Sequence, residues 1–413
     1  MIGHVSEDAS EYLIPWYQFA RAHGLASLRY PFTNYPPYYS YLLLLVAQLD
    51  RIASPLALIK AVSMVFELGC AAMVASIVRR AGGGRRAADL AFAGAWLAPT
   101  VLLNGPYWAQ ADSLWTFFIL LSIRLFMAGG NGVPAFAVGF AVKAQSVFLG
   151  PFVLGMLLKR RIHWLWLAVV PAVYLLLALP VLIEGRSLMS VATVYLDQAN
   201  TYTALSRNAA NPWIFAPIGE SFGVGIGMAA AAAAGLYLAW RTSRVSMDDR
   251  EGLLIAAALA LLLMPFLLPK MHDRYFYAFE LAAIAMACRN PRYVAVAVMA
   301  QADGVLSYMM FERHFPLLIL TPAALCNGAL VLLLAGEIGR SERAGRIPIV
   351  HLVAFMAAAG ALVTNLLLTH PQKGAVGWYP LYAGAYCLAG VLLVLQTRRN
   401  ATQEPHPTAV PGT

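Results

Sequence analysis

Long apolar runs recur from residue 57 to residue 397, separated by short polar segments rich in Arg, Gly and Pro. A helix needs roughly 17 to 25 predominantly apolar residues to cross the hydrocarbon core of a bilayer. On that measure the pattern predicts spans over 57–79, 87–103, 111–128, 163–183, 222–240, 251–268, 275–288, 293–310, 315–336, 347–368 and 379–397, of which 275–288 is the shortest. A further apolar stretch, 132–158, carries Lys143 and Gln145 near its middle and reads as two short helices forming a hairpin that returns to the side it entered from. Residues 11–24 are aromatic and amphipathic, which suits a helix lying in the membrane interface. Residues 36–52 open on two prolines and a Tyr cluster and read as a second interfacial or shallow helix. The fold class expected is therefore all-α: a polytopic membrane protein of about 11 spans plus a short-helix hairpin.

Charge orders these segments. Alternating the spans places 17 basic residues on one side, among them Arg79, Arg80, Arg85, Arg86, Lys159, Arg160, Arg161, Arg241, Arg244, Arg250, Arg289 and Arg292, with Arg340, Arg343, Arg346, Arg398 and Arg399. Nine lie on the other side, and Lys60, Arg124 and Lys143 fall inside apolar segments. Cytoplasmic loops carry the excess of Lys and Arg, so the first side is cytoplasmic. The alternation closes only if 132–158 is a hairpin. The chain then divides into an external segment over 1–56, a transmembrane module with polar loops over 57–290, further spans over 291–397 and a polar, Pro-containing cytoplasmic tail over 398–413. Residues 1–56 lie outside without a preceding span or signal peptide, so one N-terminal helix is expected to be missing from this sequence.

Composition narrows the class. Of 413 residues, 60% are apolar and 12% are charged, about half the charge of a soluble domain. That excludes a disordered chain, a coiled coil and a soluble enzyme. The net charge of +9 follows from cytoplasmic loops and implies no nucleic acid. The cysteines Cys70, Cys288, Cys326 and Cys387 sit in apolar runs with no metal spacing and read as small buried residues.

Polar and aromatic residues converge on the external side. The first loop carries Glu7, Asp8, Glu11 and Asn34-Tyr35-Pro36-Pro37; the second carries Trp108-Ala109-Gln110-Ala111-Asp112-Ser113. A long loop over 184–221 carries Asp197, Tyr202, Arg207 and Asn211, and a fourth carries Lys270-Met271-His272-Asp273-Arg274-Tyr275. Amides and carboxylates bind hydroxyls and aromatic rings stack on pyranose faces, so the set suits a sugar site. Each piece also has a structural reading. Asp8 could cap the helix that follows, and Asp112 with Ser113 could cap the span at 111–128. Lys270, His272 and Arg274 could snorkel to headgroups. Lys143 could neutralise Glu67 or Asp112, and Asn211-Pro212-Trp213 could be an interfacial anchor.

These residues resemble a known pattern. Asp8 followed by Tyr12-Leu13-Ile14-Pro15-Trp16 and Asn34-Tyr35-Pro36-Pro37-Tyr38 resembles the first external loop of the GT-C glycosyltransferases, polytopic enzymes that use polyprenyl-phosphate sugars. Trp108-Ala109-Gln110-Ala111-Asp112 is similar to their W-G-Q-x-D segment with Ala109 in place of Gly; Lys143-Ala144-Gln145 resembles K-x-Q; and Met271-His272-Asp273-Arg274-Tyr275 resembles M-H-E-R-Y with Asp273 in place of Glu. The resemblance covers about residues 1–290 and is strongest for bacterial mannosyltransferase-like members. It departs from the family in lacking the first transmembrane helix and in carrying Asn34 where some relatives have an acid.

The resemblance implies an inverting transfer of a hexose, mannose or glucose, from a polyprenyl phosphate to a lipid-linked or glycan acceptor at the external face of the cytoplasmic membrane. Asp8 is then the general base, with Asp112 second. Lys270, His272, Arg274 and Lys143 bind the donor phosphate, and Asn34, Tyr35, Trp108, Gln110, Gln145 and Asn211 contact sugar or acceptor. No cofactor is required; Asp8 or Asp112 admits magnesium or manganese, with no firm metal spacing. The donor, the acceptor and membrane lipids are the partners. Three other readings stay open: a transporter or flippase of a lipid-linked sugar, a ligase or polymerase using a diphosphate-linked donor, and a non-catalytic scaffold.

Overall fold

The computed structural model describes residues 1–201, 203–216, 219–312 and 314–338. The spans expected at 347–368 and 379–397, the tail over 398–413 and Tyr202 lie outside the described residues.

The described chain is helical, with two short strands. Near the N-terminus a π-turn over Ala9–Leu13 leads into α1 (Ile14–His23), and α2 (Pro37–Ala47) follows. The 11 residues of α2 are too few to cross a bilayer. Trp16 of α1 packs on Tyr39 of α2 and on Tyr35 just before it, and Phe19 packs on Phe32 in the connecting segment, as the amphipathic pattern over 11–24 requires.

The bundle begins with α3 (Pro55–Arg80), whose N-terminus is capped by Ser54, its side chain accepting from the Ala57 amide. It continues with α4 (Arg85–Trp96), α5 (Pro99–Leu102) and α6 (Asp112–Met127). Then come α7 (Val133–Val142) and α8 (Gly150–Leu158), and α9 (Val169–Ile183). The polar loop contains α10 (Leu188–Ala192), α11 (Val194–Asn200) and β1 (Ser206–Arg207). The rest comprises α12 (Glu220–Arg244), α13 (Arg250–Leu267), β2 (Met271–His272), α14 (Tyr277–Arg289), α15 (Val294–Glu312) and α16 (Thr321–Glu337). Seven helical stretches among the described residues are long and apolar enough to cross a membrane: 55–80, 85–107, 164–183, 220–244, 250–267, 291–312 and 317–337. The chain is a multi-pass, all-α membrane protein.

Burial separates centre from rim. In the span 250–267, 72% of the apolar window is buried in the protein, against 11% in 164–183, so α13 is central and α9 faces lipid. The segment 132–158 breaks at Lys143, whose backbone is extended, into α7 and α8 joined by a 3-10 turn over Ala144–Leu149. Arg161 donates to the Gly129 carbonyl at 2.9 Å, which brings both ends of the stretch together and closes it as the expected hairpin.

The two ends of the bundle differ. At one end arginines tie the helix termini together: Arg80 donates to the Met127 carbonyl (3.1 Å), Arg250 to the Arg80 carbonyl (3.1 Å), and Arg292 pairs with Glu337 (2.6 Å). The other end gathers the polar loops. Helices α6 and α14 run between the ends with only 16 and 13 residues. At 1.5 Å per residue these measure roughly 24 and 20 Å, less than a hydrocarbon core of about 30 Å. The stretches 111–128 and 275–288 are thus shorter than full crossings, because each starts at a polar loop folded down into the bundle.

A charged cavity at the recessed end

The recess is built from backbone departures. A π-turn over Leu103–Tyr107, with Pro106 inside it, unwinds the helix that began at Pro99. Ala109 then adopts φ 64, a left-handed conformation that favours glycine, while its side chain is fully buried. This turn aims Gln110 at Asp8 and leaves Asp112 at the head of α6. Lys270, at φ 62, turns the fourth loop so that Met271 and His272 pair in parallel with Ser206 and Arg207.

Four segments meet there. Gln110 Nε2 donates to Asp8 Oδ2. The Arg274 guanidinium lies among three carboxylates: Asp112 at 3.4 Å, Asp273 at 3.5 Å and Asp8 at 3.8 Å. Asp112 is buried and is also held by Lys143 Nζ at 2.6 Å, by Asn104 Nδ2 at 3.0 Å and by Trp115 Nε1 at 3.2 Å. The Lys143 ammonium lies 5.3 Å from the centre of the Tyr35 ring and 5.9 Å from that of Tyr275. Burial pushes the Asp273 carboxyl up to about 7; Arg274 opposes this, and the charges of Asp8 and Asp112 add to it. Burial, together with Arg274, Arg207 and Lys143, pushes His272 well below its ordinary range, so the ring is neutral.

A cavity of about 380 Å³ opens against this cluster, with Glu7, Asp8 and Glu11 on the N-terminal wall and Arg207, His272 and Arg274 among the residues facing them. That volume lies within the range of small-molecule sites, about 300–1,000 Å³. The Asp8 side chain is 25% exposed, whereas Asp112 is fully buried. Only the first carboxylate can reach a molecule in the cavity directly.

The structural readings of the motifs separate here. Asp8 makes no side-chain cap, and Asp112 lies inside the first turn of α6 with its oxygens on other partners. Lys143 pairs with Asp112 rather than Glu67. Of three residues expected at the site, two are engaged elsewhere and the third lies on the surface. Lys270 pairs with Glu220 at 2.6 Å and donates to the Ala199 carbonyl at 3.0 Å, fastening the 184–221 loop. Asn211 is buried, accepts from the Trp213 amide and donates to the Pro265 carbonyl at 3.3 Å. Asn34 is exposed, and its carbonyl accepts from Gln198. Trp108 is buried behind the cavity, stacked on Tyr308 and donating to Glu312 at 2.9 Å. Gln145 is buried beside Lys143 in the hairpin turn, with its Oε1 unpartnered.

The structure adds Arg207, Asp273 and Asn104. Arg207 was visible only as one polar residue in a long loop, and its register with His272 is tertiary. Asn104 sits in the turn before Trp108, and nothing in its spacing marks it as the partner of Asp112 and Tyr308. Among the described residues, no group of three or more His, Cys, Asp or Glu side chains is arranged to hold a metal ion. Asp8 and Asp112 are already faced by Arg274 and Lys143, so a divalent cation would have to displace fixed positive charge, and this donor set does not fit one.

No protein-family model matches the chain, and no curated protein matches its sequence.

Proposed function

We propose that this chain is a polytopic membrane glycosyltransferase of the GT-C kind. It moves a hexose, mannose or glucose, from a polyprenyl phosphate to a lipid-linked or glycan acceptor at the external face of the cytoplasmic membrane. With α6 and α14 taken as short crossings that begin at the recess, and with the spans expected at 347–368 and 379–397, the reading comes to eleven spans. One observation carries the reading. Asp8, a partly exposed carboxylate fixed by Gln110, lines a cavity shared with Arg207, His272 and Arg274.

Transfer then proceeds as a single displacement. Asp8 takes the proton of the acceptor hydroxyl as its oxygen bonds to the anomeric carbon. The bond from that carbon to the phosphate oxygen breaks, and its electron pair leaves with the polyprenyl phosphate. Arg207 and Arg274 face the growing charge; the planar guanidinium fork suits phosphate oxygens. The neutral His272 ring supplies a hydrogen bond without adding charge. Asp112, saturated by Lys143, Asn104 and Trp115, holds Arg274 in place.

A second reading has its own observation. Glu67, Glu280 and Asp303 are buried inside helices of the bundle, and ionisable residues within spans often mark transport or proton pathways. Purified protein in nanodiscs with a labelled polyprenyl-phosphate hexose separates the two. The transferase yields labelled acceptor, and Asp8→Asn lowers the rate by about 10²–10⁴-fold, the usual contribution of a general base. A wild-type rate no higher than the empty-nanodisc rate with monophosphate donors overturns the reading. Activity with diphosphate-linked donors alone would indicate a ligase or polymerase.

A further inference from the structure

A polar stripe runs along one face of α3: Lys60, Ser63, Glu67 and Cys70 recur at helical spacing in an otherwise apolar span. Each meets the segment 105–113. Lys60 donates to the Tyr107 carbonyl (3.0 Å), Ser63 to the Gln110 carbonyl (2.6 Å) and Cys70 to the Ser113 carbonyl (3.4 Å). The Glu67 carboxylate packs so tightly on Gly105 that a β-carbon there would collide with it.

Lys60 does more. It is fully buried, and its ammonium also donates to the carbonyls of Met1 (3.0 Å) and His4 (2.7 Å). One cation thus joins two chain segments through backbone oxygens. Around it, Ser6 Oγ donates to the Trp108 carbonyl (2.8 Å), and the His4 ring stacks on Tyr107 at 3.9 Å. On the other flank His4 meets Glu312 at 3.6 Å. Residues 1–8 are a strap laid along the 104–110 turn, and Asp8 is its last residue.

We propose that Lys60 is a positioning residue for Asp8: its ammonium clamps the strap onto the turn that carries Gln110 and so places the carboxylate on the cavity wall. The inference rests on the reading of Asp8 as the base. A buried ammonium spent on three carbonyls has no role in binding the donor, so its loss leaves donor binding intact and removes the order of the strap. Among the described residues, those three bonds are what offsets the cost of burying this charge.

The test uses the full chain in nanodiscs. In Lys60→Met, amide exchange over residues 1–8 is expected to quicken by at least about tenfold while the centre of α13 stays protected. The kcat falls by about 10²-fold or more and the donor KM stays within about threefold, since catalysis and donor binding rest on different groups. Adding Asp8→Asn to Lys60→Met brings little further loss, because the two act as one unit. Should Lys60→Met fail to fold, Ser6→Ala, which removes the Trp108 contact and the bond that Ser6 Oγ accepts from the Ala9 amide, shows the same pattern to a smaller degree. Unchanged exchange over 1–8, or losses that multiply in the double variant, overturns the proposal. If the wild-type protein transfers no sugar, the reading of Asp8 falls, and exchange over 1–8 still decides whether Lys60 holds the strap.

Discussion

At the scale of single residues, Asp273 carries a signature that its neighbours do not. Burial holds its carboxyl near 7, whereas an exposed Asp titrates near 3.9. The folded protein therefore binds this proton more tightly than the unfolded chain does. The stability it contributes is fully present below about pH 4 and is lost as pH rises to about 7. His272 has the opposite sign: its folded value is lowered, so acid favours the unfolded chain, which takes up the proton. Asp273→Asn is expected to flatten the loss of thermal stability between pH 5 and 8, measured in detergent at fixed ionic strength. A profile identical to wild type would remove Asp273 from the account. Ala109 offers a second test. Its left-handed backbone costs roughly 1–2 kcal/mol, part of which is returned through the greater freedom of glycine in the unfolded chain. Ala109→Gly is expected to leave the unfolding temperature unchanged or slightly higher, and Ala109→Val to lower it. A fall with Gly would mean that the buried methyl packs for more than the backbone loses.

At the scale of elements, the pairing of charges decides what each helix holds. Lys143 ends α7 and Asp112 starts α6, and their 2.6 Å contact joins the hairpin to the site. Removing one partner of a buried pair leaves an uncompensated charge and costs about 3–5 kcal/mol. Lys143→Met and Asp112→Asn are each expected to destabilise the protein strongly. The double variant recovers less than it would with a lone pair, since Arg274 then loses one of its carboxylates. Denaturation of the three variants checks this; additive losses would deny the coupling. The same pairings mark where the sequence could be read. Apolar runs, the break at Lys143 and the amphipathic stretch over 11–24 are local patterns, and the helices follow them. The gathering of four loops at one end followed from alternating the spans. Which cation meets which carboxylate did not. Lys270 stood beside His272 and Arg274 in sequence, but its left-handed backbone turns it to Glu220. Asn211, expected at a sugar contact, is buried and bonds to the Pro265 carbonyl of α13, a pairing its sequence position does not reveal. The stripe on α3 was hidden because Lys60 and Cys70 each looked like an isolated residue in an apolar span.

At the scale of the whole molecule, two asymmetries point the same way. Arginines crowd the end where α3, α6, α13 and α16 are tied, and on the proposed reading, following the positive-inside rule, that end faces the cytoplasm. The opposite end is recessed, because α6 and α14 are shorter than the helices around them. On the proposed reading, a polyprenyl phosphate in the outer leaflet keeps its headgroup at the interface and its tail in hydrocarbon, and a cavity at the recessed end would meet that headgroup. The arrangement predicts sidedness directly. Cysteine placed at exposed Asp197, in the long polar loop, is expected to react with a membrane-impermeant maleimide on intact spheroplasts. Cysteine placed at Arg85, whose side chain is 91% exposed at the arginine-rich end, is expected to react only after lysis. Both substitutions lie outside the cavity wall, so transfer activity should persist and certify that the labelled protein is folded. Labelling of both positions from the same side would break the alternation of the spans. Labelling in the reverse order would put the cavity on the cytoplasmic face, where sugar nucleotides are at hand and a lipid-phosphate donor loses its rationale.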